Sequence, residues 1–327
     1  MSKMEGTILS DEQHAFGEFK YWHEAVLAAL LVALLLTAGL ADPAFLSARV
    51  QTELSTHVWE LALLALPMTL IIITGGIDLS VGAMMALCAV VLGLSYEAGI
   101  SPWVGAVFAL LTGIAAGAIN GMFVVWVRVH PLIVTLATLA AYRGMAEGIS
   151  LTRPISGFPE SFAVVGRGHV AGVPIPGAIF AAAALWAAIV LGRTAFGRSV
   201  YAIGNNEAAA YFSGVAVSRI KLWLYAMSGA AAGLAAVLFV ARRNTAKADI
   251  GAGMELDVIT AVVLGGTSIF GGRGRIVGTL LGVLLIHETR EFVSWRWDKD
   301  ELNLIVIGAL LIVSVLLNSI FLRRETE

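Results

Sequence analysis

Asp78 has the clearest means of doing chemistry in this chain. It lies in the text Thr74-Gly75-Gly76-Ile77-Asp78-Leu79-Ser80-Val81-Gly82, where a diglycine interrupts an apolar run and a lone carboxylate follows at once. Two roles suit a carboxylate there. It can cap the next helix by accepting backbone N–H bonds. It can also line or gate a polar pathway that Gly75 and Gly76 open in the helical run, with Ser80 beside it. The two are compatible, and both stay open on sequence alone. Asn120 is a further polar residue inside an apolar stretch, placed either to bond a neighbouring helix or to face a pathway. Gly113, Gly117 and Gly121 precede and follow it at intervals of four, one helix face suited to close packing.

A second glycine cluster reads Gly265-Gly266-Thr267-Ser268-Ile269-Phe270-Gly271-Gly272-Arg273-Gly274-Arg275. It is no phosphate loop, because that motif needs a Gly-Lys pair to reach a phosphate and none occurs in the chain. The expected structure is a tight hairpin between two helices, since glycine accepts positive φ. Arg273 and Arg275 then sit in a cytoplasmic turn, and Thr267 and Ser268 are counted with the candidate pathway residues. Gly75-Gly76 and Gly265-Gly266 both end an apolar run, a likeness attributed to shared turn chemistry rather than to an internal repeat.

Catalysis is not expected. His287 and Glu288 are adjacent, so on a helix they point about 100° apart and make a poor metal pair. No His, Cys and carboxylate set has ligand spacing, and no Ser or Cys has a catalytic context. The single cysteine, Cys88, lies in an apolar run and excludes both an internal disulfide and a cysteine-rich metal centre. No cofactor is expected on this chain.

The elements that must hold these residues are membrane helices. Of 327 residues, 58% are apolar and 13% charged, with a mean hydropathy of +0.86. That is far less charge than the quarter or so of a soluble domain. It excludes a soluble enzyme and a disordered regulator, and a net charge of −2 offers no basic footprint for nucleic acid. A helix needs about 20 apolar residues to cross a bilayer. Seven stretches qualify, at 25–41, 61–77, 79–96, 98–127, 169–192, 222–241 and 302–322. Three shorter ones, 129–142, 258–272 and 276–287, bring the expected count to ten. The first of these lengthens if Arg143 and Glu147 pair or turn inward.

Ten spans put both ends on one side. The cation count divides almost evenly, eleven against ten, so the positive-inside rule barely votes. Arg193, Arg198, Arg219 and Lys221 around the loop 192–219 place that loop in the cytoplasm, and with it the 1–21 and 323–327 tails. The chain is read as one transmembrane domain, 1–327, with no cleaved signal peptide. The proline-rich connection 152–175 is expected to be irregular and external. Segment 287–301, with Trp295 and Trp297, reads as an interfacial belt, or as a docking surface for a soluble partner. Within 192–219 a helical patch, Glu207 to Phe212, ends at Ser213-Gly214.

Three texts together carry a family resemblance. Residues 198–221, with Asn205-Asn206-Glu207-Ala208-Ala209 leading through Tyr211 to Ser213-Gly214 and on to Arg219, look like the coupling loop of permeases from bacterial sugar importers driven by ATP-binding cassettes. Residues 74–82 and 253–274 are similar to the ribose-type branch of the same permeases. The resemblance implies an all-α polytopic permease of about ten helices in the vitamin B12-importer (type II) arrangement. It further implies a dimer of permease subunits, separate cytoplasmic ATPase subunits that hydrolyse the ATP, and a periplasmic sugar-binding protein. The charged segment 287–301 departs from the ribose branch. That segment, and the text Ala141-Tyr142-Arg143-Gly144-Met145-Ala146-Glu147-Gly148, most resemble permeases assigned to rhamnose, followed by those for autoinducer 2. The rival reading is an ion-coupled secondary transporter with Asp78 as its coupling site. Only the importer needs an amphipathic patch after span six, and a proton-driven carrier usually holds more buried carboxylates than this chain offers.

Overall fold

The computed structural model describes residues 22–297 together with 302, 303, 305, 306, 308–310 and 312. Its helices are α1 (Trp22–Ala41), α2 (Ala48–Leu54), α3 (Trp59–Ile73), α4 (Val81–Glu97), α5 (Pro102–Val125), α6 (Pro131–Ser150), α7 (Glu160–Arg167), α8 (Ile175–Arg193), α9 (Ala195–Asn205), α10 (Glu207–Phe212), α11 (Val217–Arg243), α12 (Met254–Leu264) and α13 (Ile276–Trp297). Four two-residue strands add two small pairings, β1 (Ile155–Ser156) with β4 (Thr245–Ala246), and β2 (His169–Val170) with β3 (Val173–Pro174). Prolines open α5, α6 and α8, where the missing N–H costs nothing.

Among the described residues five helices, α1, α5, α6, α8 and α11, are long and apolar enough to span a bilayer, and α2 with α3 forms a sixth candidate bent by 59°. At 17 residues α4 falls just short. The predicted eighth span, 258–272, is corrected: the helix there is the 11-residue α12, about 16 Å long and half a bilayer. The predicted ninth span, 276–287, continues as helix through the charged segment to Trp297. Most of the tenth, 302–322, and both chain termini lie outside the described residues. Nor is 152–175 wholly irregular, for it holds α7 and the β2–β3 hairpin.

Glycine decides how the central helices meet. Gly113 and Gly117 of α5 lie backbone to backbone with Gly229 and Tyr225 of α11, so closely that a Cβ on any of the three glycines would enter the partner's main chain. Small residues allow this approach, and apolar lipid gives helices little other reason to associate. Around that pair α3 and α4 are nearly sheathed in protein, with Leu64, Met68, Ile72, Met84 and Met85 fully buried.

Between β4 and α12 the chain runs down alongside α4 without helical bonding. Ala246 packs on Gly93, and Gly251 packs on Gly82, eleven residues and about 16 Å further along α4. Buried carbonyls outside a helix must find donors. Arg143 supplies them, its Nη1 donating to the carbonyls of Ala248 and Ile250, the latter at 2.9 Å. The inward-turned alternative for Arg143 is therefore the one adopted, while Glu147 is exposed. Near α13's far end Trp295 donates its indole N–H to Asp42 Oδ2 at 2.8 Å, which holds that carboxyl below its usual range.

Candidate functional site

The break between α3 and α4 is built by a helix stop. Gly75 takes φ +76, Gly76 N–H donates to Ile71 O at 3.0 Å and Gly75 N–H to Ile72 O at 2.9 Å, the Schellman pattern. The expectation of shared turn chemistry holds. Gly266, at φ +86, ends α12 in the same way, with Gly266 and Thr267 donating to Val263 and Val262. Gly214, at φ +84, ends α10 likewise through Tyr211 and Ala210.

After the break the chain enters a buried polar chain of bonds. Asp78 Oδ1 accepts from Ser80 N at 3.0 Å and from Ser80 Oγ at 2.7 Å, and Asp78 Oδ2 accepts from Ser228 Oγ of α11 at 2.8 Å. Asn120 Nδ2 of α5 donates to Ser80 Oγ at 2.8 Å. Tyr142 of α6 closes the set, its hydroxyl within 3.2 Å of Asn120 Oδ1 and 2.9 Å of Ala116 O. Asp78, Ser80, Asn120 and Ser228 have no solvent exposure at all. Ser80 ahead of α4 and Ser228 of α11 thus hold the carboxylate, and Asn120 of α5 and Tyr142 of α6 extend the chain from Ser80. The capping role is met only in part, since Asp78 takes one backbone N–H, that of Ser80 just ahead of α4, and spends its other oxygen on α11.

Asp78, Ser80 and Asn120 therefore come together, while Gly75 and Gly76 lie in the helix stop just before them. Thr267 and Ser268 do not join them: they lie in the turn between α12 and α13, where Ser268 N–H donates to Arg273 O at 3.0 Å. That turn is the expected hairpin, and Arg275 from it pairs with Glu24 of α1 at 3.0 Å. It packs against the end of α3 through Gly272 N–H, which donates to Ile73 O at 2.9 Å, while Gly204 of α9 leaves no room for a Cβ beside the same two residues. Tyr201 of α9 donates to Gly274 O at 2.7 Å.

The predicted patch after span six is α10, with the boundaries expected. Asn206 caps it, its Oδ1 accepting from Ala209 N at 2.9 Å, and Glu207 is held by Lys221 of α11 at 2.6 Å. Asn205, Ala208, Ala209, Tyr211, Ser213, Gly214 and Arg219 are exposed. Tyr211 and Phe212 are 65% and 85% exposed, unusual for aromatic residues of a short, capped helix. A groove of about 560 Å³ runs beside them to the α5–α6 turn, lined in part by Arg128, His130, Tyr211 and Lys221. At the opposite end of the bundle, a polar cavity of about 440 Å³ is lined by Arg243, Asp257, His287, Arg290 and Glu291.

Sequence reasoning gave Ser228, Tyr142, Gly204 and Gly272 no place in the site, although Gly272 stood in the expected hairpin and Tyr142 in the text that resembles the family. Ser228 had a signal, a hydroxyl inside an apolar span beside a glycine. Gly204 had none, because only the fold brings Ile73 against it.

A polytopic helical bundle with a buried polar break and an exposed, capped helix between two long spans defines the class: a membrane permease. The family described as branched-chain amino acid transport system, permease component, matches residues 52–315, and the chain belongs to it. The chain is 36% identical over 312 residues to the autoinducer 2 import system permease protein LsrD of Yersinia pseudotuberculosis, covering 94% of each protein. It is 35% identical over the same length to the protein so named in Escherichia coli O157:H7. This places it in the ribose and autoinducer 2 branch of the importer permeases, as a transport subunit and not an enzyme. No solved structure matches it.

Proposed function

We propose that the chain is the membrane subunit of an ATP-driven importer for a monosaccharide or a small polyhydroxylated solute of similar size. Separate cytoplasmic ATPase subunits dock on Asn205 to Gly214 and Arg219, with α10 as the coupling helix. The observation that carries this is α10 itself: six residues, stopped at both ends, braced by Lys221, and presenting Tyr211 and Phe212 outward. The groove toward Arg128 and His130 gives an ATPase side chain somewhere to seat.

On this reading both termini and the 192–219 loop are cytoplasmic. The ten membrane segments of the type II arrangement include the non-helical run 247–253 plus α12 as one. A second permease subunit completes the translocator, and a periplasmic binding protein docks near the opposite polar cavity and the charged end of α13. ATP closure of the ATPase pair shifts the helix packing and exposes the pathway to alternate sides. Gly75, Gly76, Asp78, Ser80, Asn120, Thr267 and Ser268 are proposed at or beside that pathway.

Rhamnose is the substrate the text around Arg143 favours, and the names of the relatives favour autoinducer 2. Purifying the binding protein of the same system and titrating both ligands by calorimetry decides between them. The ion-coupled alternative needs Asp78 open to a cation, and its two oxygens instead accept from Ser80 and Ser228 inside a closed core. Affinity purification of the tagged chain in mild detergent tests the class. Recovery of an ATP-binding cassette subunit supports the importer, and recovery of this chain alone, after cross-linking at position 207, overturns it.

A further inference from the structure

The loop that carries α10 grips the α3–α4 break at both of its ends. On one side, α9 runs into α10 and presses Gly204 against Ile73 O, the last helical residue of α3, where Gly272 N–H also bonds at 2.9 Å. At φ +76, Gly272 has its Cα face against Asn205, so the glycine turn is held between α9 and α3. On the other side, α11 leaves α10 and carries Ser228 to Asp78, the far end of the break. Ser228 lies eleven residues into α11, about 16 Å from its start. The Gly113, Gly117 and Gly229 contacts hold α11 against α5 at backbone distance, a packing that resists sliding of one past the other.

Between the grips lie Thr74 to Ile77. Gly75 is exposed, sits at positive φ and has nothing within 4 Å of where a Cβ would be, so no side chain obstructs a turn there. The Gly75 and Gly76 N–H bonds to Ile72 and Ile71 are what such a turn must break. A Cβ on Gly76 would lie 3.0 Å from Tyr225 Oη. That hydroxyl is buried and has no hydrogen-bond partner among the described residues. Buried donors rarely stand idle. Here one faces the break and can donate to a backbone carbonyl of it once the segment turns.

We infer that residues 74–78 form the hinge through which α10 acts, and that Gly272 and Ser228 are positioning residues for transport, setting the hinge from its two ends. Displacement of α10 moves α9 and α11 together, and the hinge takes up the difference. Tyr225 Oη then donates to a carbonyl of the rotated backbone in the second state. This rests on α10 being the ATPase-docking helix.

Two measurements test it. In the purified chain in lipid nanodiscs, hydrogen exchange of the amides of residues 75–80 should rise about tenfold in Ser228→Ala and in Gly272→Ala, and return to the parent rate in Ser228→Thr. Gly99→Ala, which carries the same positive-φ strain in the α4–α5 turn, should leave those amides unchanged. Unaltered exchange in both hinge variants overturns the inference, whatever binds α10. In proteoliposomes with the ATPase partner, the same two variants should keep ATPase association and ATP turnover while uptake per ATP falls about tenfold. An unchanged ratio of uptake to ATP also overturns it. If no ATPase associates with the parent chain, the docking reading falls, and with it the hinge's role in coupling, while the exchange result still reports the grip.

Discussion

The Ser228 hydroxyl of α11 donates to Asp78 Oδ2 at 2.8 Å across 150 residues of sequence. That bond converts a local cap into a tie between the α3–α4 break and the long helix that follows α10. It also explains how a lone carboxylate is tolerated in so apolar a core: three donor bonds meet its two oxygens.

Asp78→Ala should cost about 3 kcal/mol, because it strands the Ser80 and Ser228 hydroxyls with no acceptor in the dry interior. Asp78→Asn keeps an oxygen for Ser80 and turns an amide toward Ser228, whose hydroxyl can accept, so the loss should be near 1 kcal/mol. Thermal unfolding in detergent checks the order. Uptake retained in Asp78→Asn and lost in Asp78→Ala supports the tie, whereas equal loss of uptake in both supports a charge-dependent pathway role.

Glu207→Lys puts two ammonium groups together where a 2.6 Å pair now braces α10. Glu207 is half exposed, so stability should change by less than about 1 kcal/mol. Transport should fall severely with insertion unchanged, and the double exchange Glu207→Lys, Lys221→Glu should recover part of it. Normal uptake in the single variant would remove α10 from the transport machinery.

Gly214 holds φ +84 at the end of α10. Proline is fixed near −65° and cannot take that conformation, so Gly214→Pro should abolish uptake while leaving the spans inserted. Gly214→Asn, which tolerates the left-handed region, should retain most of it. Comparison of uptake with membrane-fraction yield separates the two effects.

Gly229→Leu wedges a side chain into the backbone contact between α5 and α11, and should lower stability by about 3 kcal/mol or more. Gly144→Ala, on α6 with open space at its Cβ, should be neutral within about 0.5 kcal/mol. Unfolding temperatures of the two variants give the comparison.

Arg143→Met leaves the Ala248 and Ile250 carbonyls unpaired, at about 1–3 kcal/mol each. The segment 247–253 should then loosen, and limited proteolysis should cut there first. Arg143→Lys, with one donor head in place of a fork, should fall between parent and Met. An unchanged cleavage pattern in Arg143→Met would show that other groups hold the segment.

What the sequence determined is local. Composition dictated a membrane chain, because so few charges cannot clothe a soluble surface. The glycine stops after Ile73, Phe212 and Leu264 were legible because positive φ is a property of one residue and its neighbours, and α10 followed from its cap and its stop. The tertiary structure alone decided the rest. Whether α12 crosses or stops halfway depends on where Gly251 meets Gly82, a contact without periodicity to announce it. Asp78 found its second partner on α11 only because three glycines let α5 and α11 close to backbone distance. Gly204 gained its meaning only when the fold brought Ile73 and Gly272 against it. Pairings across a hundred residues or more leave no pattern in the text, since each side chain must fit its own helix first and meets its partner only after the helices pack.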